Sequence, residues 1–148
     1  MKKFVEIVGL IILLISNGCV KNQSLTTNGG NMNQHEKINY IEFPAKDIEA
    51  AKAFFITVFG WTFVDYGPEY TSFSGGGLAG GFYRSDLNSS TENGGALIVF
   101  FSKALEQTQA KIEKADGKIV KPIFPFPGGR RFHFTDPNGN EYAVWSDM

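Results

Sequence analysis

The chain contains a single cysteine, Cys19, among its 148 residues. One cysteine excludes a disulfide framework and any cysteine-cluster zinc or iron–sulfur site within one chain. Net charge is nearly absent, since 14 basic and 15 acidic residues leave −1. No nucleic-acid partner held mainly by phosphate neutralisation is therefore expected. The apolar stretch Ile7–Ile15 covers nine residues. A membrane-spanning helix needs roughly 20. There is no Walker A sequence, no HExxH, no GxSxG and no Cys/His pair for nucleophilic catalysis. Residues 75–80 formally fit GxGxxG, but GFYRSD follows, a strand and turn rather than the helix a dinucleotide motif opens. What is abundant is phenylalanine (14) and glycine (17). They supply large buried area and tight turns. Hydrophobic residues at 43% and charged residues at 20% are ordinary for a globular chain.

Lys2 and Lys3, the short apolar stretch and the end Ser16-Asn17-Gly18-Cys19 follow the pattern of a secretory signal peptide. Gly18 before Cys19 resembles the lipobox of bacterial lipoproteins, although Ser16 stands where Leu is usual and Glu6 is unusual in such a leader. The alternative is a plain buried cysteine in an N-terminal helix. The expectation is a signal peptide over 1–18 with lipidation at Cys19. A polar tether follows over 19–37, rich in Asn, Gly, Ser and Thr, and it carries a solvated His35. The protein would then sit at the cell envelope, lipid-anchored on its periplasmic or extracytoplasmic face.

From Ile38 the pattern becomes globular. Ile48, Ala51, Phe55, Val58 and Phe59 share one helical face, with Asp47 as N-cap and Gly60 as stop. Fifty-seven residues on, Leu105, Thr108, Ile112 and Ala115 repeat that face, with Ser102 as cap candidate and Gly117 as stop. Strand-like runs follow both helices, near 61–65, 70–74 and 78–83, then near 118–121, 131–135 and 140–145. Pro122–Arg130 reads as a hinge. Asp136-Pro137-Asn138-Gly139 reads as the turn of a hairpin. The pattern predicts an α+β domain over 38–148, built of two βαβββ modules (38–85 and 95–147). Each module is too small to bury its own core, so the two should pack together.

The segments INYIEFPAKDIEAAKAFFITVFGWTF and FPGGRRFHFTDPNGNEYAVWS resemble the vicinal oxygen chelate superfamily of glyoxalase I, bleomycin-resistance proteins and extradiol dioxygenases. The likeness is to a small bacterial branch related to lactoylglutathione lyase. It implies two modules paired into a cup-shaped, half-barrel mixed sheet, a small-molecule ligand, and often a homodimer. It also implies four metal-ligand positions, which fall on Tyr40, Phe82, Leu97 and Ala143. None is a His or a carboxylate, so no metal ligand is assigned; no cofactor is expected, and a divalent ion stays open. Binding of a small organic molecule in the cup without that ion is the first expectation, and a lyase or isomerase with a non-standard site is the alternative.

Glu42, His133 and Glu141 are the candidate catalytic groups. Tyr40, Phe82, Leu97, Arg131, Ala143 and Trp145 are the candidate substrate contacts, and Arg130 beside Arg131 is a second candidate for clamping a carboxylate. For His133 two readings stand: a general base in the cup, or a packed imidazole beneath the helix. A two-residue hairpin at the DPNG turn would put Phe132 and Phe134, not His133, on the face of Ala143.

Overall fold

The computed structural model describes residues 33–147. The leader and Cys19 lie outside the described residues. β1 (Tyr40–Ala45) sends Phe43 and Ala45 into the core and leaves Tyr40 and Glu42 on the opposite face. α1 (Ile48–Phe59) begins where the Asp47 carboxylate accepts the Ala50 N–H at 2.9 Å. It ends at Gly60, whose φ of 70° is left-handed and whose N–H returns to the Ile56 carbonyl. Ile48, Ala51, Phe54, Phe55 and Val58 form its buried stripe. β2 (Thr62–Asp65), β3 (Tyr70–Ser74) and β4 (Ala79–Arg84) complete a sheet of order β1-β4-β3-β2. β1 and β4 are parallel and the other pairs antiparallel.

The second module repeats this plan. β5 (Ile98–Phe101), α2 (Leu105–Lys114), β6 (Lys118–Phe126), β7 (Gly129–Thr135) and β8 (Glu141–Ser146) give the order β5-β8-β7-β6, with β5 and β8 parallel. The two mixed sheets and two helices make the expected α+β cup of paired βαβββ modules. Among the described residues no helix is long and apolar enough to cross a membrane.

Three local expectations change. Ser102 does not cap α2 by position: the cap residue is Ala104, and the Ser102 hydroxyl instead accepts the Ala104 N–H at 3.0 Å. Asp116, with φ 68°, takes the left-handed turn after α2, while Gly117 supplies clearance, since a Cβ there would lie 2.5 Å from Ile112. The presumed hinge is strand. β6 runs through Pro122 and Pro125 as an edge strand, where a missing N–H leaves no ladder bond broken.

The core is one body rather than two. Phe55 of α1 packs against Phe82 of β4 (ring centroids 5.4 Å apart) and Tyr142 of β8 (5.5 Å). Phe43 meets Tyr142 directly at 5.3 Å. A buried ring of this size stabilises by about 2–3 kcal/mol through area alone. Tyr142 of the second module thus packs against rings of the first, and the two modules share one core.

Candidate functional site

The helix-free face of the second sheet is set by β8, where Glu141, Ala143 and Trp145 alternate with the core residues Tyr142 and Val144. On β7 the cross-strand pairs are Thr135 with Glu141, His133 with Ala143, and Arg131 with Trp145. His133 therefore shares the open face with Ala143, and Phe132 and Phe134 lie in the core at 0% exposure. This reverses the parity a two-residue hairpin gives. The connection is a five-residue loop, 136–140, because the Asp136 carboxylate accepts the N–H groups of Asn138 and Asn140 at 2.9 Å each and draws the turn wider. β6 carries an irregularity on either side of Lys121, the residue paired with His133.

His133 and Glu141 form a built pair. Nδ1 lies 2.9 Å from Glu141 Oε1, and Glu141 Oε2 accepts from the backbone N–H (2.8 Å) and hydroxyl (2.6 Å) of Thr91. Burial alone would raise the Glu141 pKa, but the bonds from Thr91 and His133 outweigh it and hold the carboxyl below its ordinary range. An ionised carboxylate only accepts, so it is Nδ1–H of the imidazole that faces Glu141. Nε2 is buried and has no hydrogen-bond partner among the described residues. Sequence reasoning missed Thr91 because a polar linker residue carries no pattern of its own.

Arg131 sits on the same face and pairs with no carboxylate among the described residues. Its guanidinium lies over Phe124 (5.1 Å) and Phe126 (5.2 Å), and its buried Nε has no hydrogen-bond acceptor among them. Beside it Val99, Phe126 and Trp145 line a cavity of about 210 Å³. The Trp145 ring touches Phe101 at 5.1 Å, and Val99 and Phe101 remain 43% and 49% exposed, so the wall is apolar and open. Arg130 does not join it, since its Nη1 is paired with Glu106 of α2 at 2.6 Å.

On the first sheet the open face carries Tyr40 and Glu42. The Tyr70 hydroxyl donates to Glu42 Oε1 at 2.9 Å and lies 2.8 Å from the Tyr40 hydroxyl. It crosses β4 at Gly81, where a Cβ would sit 2.1 Å from that hydroxyl. Burial, with Tyr40 and Glu42 alongside, pushes the Tyr70 phenol far above its ordinary pKa. Phe82 is a correction: the register pairs Glu42 with Gly81 and Phe43 with Phe82, so Phe82 is fully buried on the helix side and cannot line the cup. Leu97 precedes β5 at the parity of Val99, and Ala143 is on the open face but buried. Glu42 and Glu141 line neighbouring cavities that share Asn88, Ser90 and Asn93, and of Glu42, His133 and Glu141 only the last two are in direct contact.

The four positions that the resemblance marks as ligand sites are Tyr40, Phe82, Leu97 and Ala143, and the strand register puts Gly81 rather than Phe82 on the open face. No imidazole or carboxylate stands at any of them. Among the described residues no three His, Cys, Asp or Glu side chains gather where an ion could be held. These residues do not fit the usual divalent ion, which takes imidazole and carboxylate donors.

The modules are joined beside this site. Asn140 is fully buried; its Nδ2 donates to the Pro44 carbonyl (2.8 Å) and Asp136 Oδ2 (3.1 Å), and its Oδ1 accepts the Ser89 N–H (2.8 Å). Asn138 exchanges two bonds with the backbone of Asp47. Burial pushes the Asp136 carboxyl up to about 6 against the opposing hydrogen bonds of Asn140. An unfolded Asp titrates near about 3.9. Between these values the folded chain binds more proton, so this group's penalty is full above about pH 6 and fades as pH falls toward 4. Thermal unfolding should show a stability gain from about pH 7 to 5, and Asp136→Asn should flatten it. The lowered Glu141 contributes in the opposite sense, and only at pH below the ordinary carboxylate range.

Comparisons agree with this architecture. Among solved structures, a glyoxalase-related enzyme from Fulvimarina pelagi superposes with a TM-score of 0.64 at 18% identity, covering 76% of this chain and 88% of that one. The genomically encoded fosfomycin resistance protein FosX from Listeria monocytogenes gives 0.64 at 18%, over 76% and 94%. Lactoylglutathione lyase from Agrobacterium tumefaciens gives 0.57 at 20%, over 77% and 96%. At such identities the likeness is one of fold. No curated protein matches the chain in sequence. Residues 37–144, nearly all of the described fold, match the family itself, and the chain belongs to the Glyoxalase/Bleomycin resistance protein/Dioxygenase superfamily.

Proposed function

We propose that this protein binds a small organic molecule, one with a planar ring and an anionic group, on the open face of its second sheet and without the family's usual divalent ion. The observation that carries this is Arg131. A guanidinium that pairs with no carboxylate among the described residues and lies over two rings beside an apolar cavity is suited to a carboxylate or a similar group. Trp145 and Phe126 offer stacking surface for the ring. Saturable quenching of Trp145 fluorescence by 4-nitrobenzoate, with much weaker quenching by the neutral 4-nitrobenzamide, is the expected result. Equal, unsaturable quenching by both would contradict it. Trp61 is buried at 5% exposure and supplies a constant background.

A second reading, a lyase or isomerase with a non-standard site, is favoured by Nε2 of His133, which is buried without a partner among the described residues on a ring that Glu141 orients through Nδ1. Turnover of a methylglyoxal–thiol adduct that disappears in His133→Gln would support it; absence of turnover in the wild type would sink it.

The reading places the domain at the cell envelope, held by lipid on Cys19, with residues 19–37 as tether. Cells fed an alkyne palmitate should label the wild-type protein and not Cys19→Ser. Label persisting in the variant would refute attachment there.

A further inference from the structure

The open face of the first sheet has the opposite charge character. Glu42 accepts one hydrogen bond, from Tyr70, and forms no ion pair among the described residues. It lines a cavity of about 300 Å³ whose other walls are Pro44, Tyr83, Leu87 and the linker residues 88–90 and 93–95. That lining contains one carboxylate and no basic side chain. Tyr83 is 38% exposed, with neither a ring neighbour nor a hydrogen-bond partner among the described residues, and Leu87 is 71% exposed. The rest of the wall is neutral amide, hydroxyl and backbone.

We infer that this cavity is a binding site for an organic cation, an ammonium group carrying alkyl substituents, with Glu42 as counter-ion and Tyr83 as aromatic wall. An anion would be repelled by Glu42. A neutral ligand would leave that carboxylate uncompensated as the cavity closed over it. A bare metal ion wants several oxygen or nitrogen donors, and only one charged donor is present. An alkylated ammonium matches all three features: charge for the carboxylate, a π-face for the cation, and apolar contact with Pro44 and Leu87. The carboxylate is also held in place. Tyr70 reaches it only because Gly81 leaves the middle of β4 bare, where any side chain would collide with the phenol. Glu42 thus acts here as an anchor for charge, and this site is separate from the Arg131 face and independent of it.

The test is an amide NMR titration of the full-length protein with choline and with its uncharged isostere, 3,3-dimethylbutan-1-ol. Choline is expected to shift the amides of Glu42, Tyr83, Gly94 and Gly95 saturably, and the alcohol to bind at least 10-fold more weakly. Glu42→Gln should lose at least 10-fold in choline affinity, and Tyr83→Leu should lose a smaller factor while keeping its bulk. Equal binding of choline and the alcohol, no saturable shift at these amides, or unchanged affinity in Glu42→Gln would each overturn the inference. Binding of 4-nitrobenzoate, read at Trp145 on the same samples, reports on the other face, so failure of one site is distinguishable from failure of the other.

Discussion

Asn140→Ala should lower the unfolding free energy by about 3–5 kcal/mol, the largest effect expected of any single polar side chain in this fold. The amide of Asn140 satisfies three partners at once, on the linker, on β1 and on its own loop. Its removal leaves the Ser89 N–H, the Pro44 carbonyl and one Asp136 oxygen short of a bond at a position with no exposed surface. Each such group costs about 1–3 kcal/mol when left buried and unpaired. The three do not add fully, because a water can enter the space the amide vacates. Urea unfolding reads the effect as a lower midpoint with an unchanged slope. A loss below about 1 kcal/mol would show that the aromatic core alone, without this joint, holds the modules together.

Arg131→Ala should weaken 4-nitrobenzoate binding by about 10- to 100-fold, the range of a lost charge-assisted hydrogen bond at a partly desolvated site. Truncation also removes the guanidinium's contacts with Phe124 and Phe126. Arg131→Lys keeps the charge but not the stacked, forked geometry, so its affinity should fall between wild type and Arg131→Ala. Trp145 quenching gives all three values. Binding in Arg131→Ala equal to wild type would remove the anion from the reading and leave only an apolar patch.

Much of this was legible from residues. α1 announces itself because Asp47, the apolar stripe and Gly60 are local signals that tertiary packing had no reason to override. The duplication is visible because Phe43 and Phe100, or Ile48 and Leu105, occupy the same places in two copies of one core. The open face of β1 follows from strict alternation, so Tyr40 and Glu42 were placed by parity alone.

The failures also have physical causes. The face of His133 stays open in the sequence because loop length decides parity, and the carboxylate of Asp136, not the DPNG tetrapeptide, sets that length. Phe82 was misplaced by one residue because the spacing from helix to last strand differs between modules. β6 was read as a hinge because proline penalises a central strand, and edge position is a property of the whole sheet. Tyr70 reaches Glu42 across strands and Thr91 reaches Glu141 from the linker, contacts that no local pattern records. The placement of Cys19 in a leader rests on the sequence alone.

The measurement that tests the central claim most directly is an amide chemical-shift map of the protein under saturating 4-nitrobenzoate. The account predicts the largest shifts at Val99, Phe126, Arg131 and Trp145, with little change across the helix side. Shifts centred elsewhere, or none up to millimolar ligand, would contradict it.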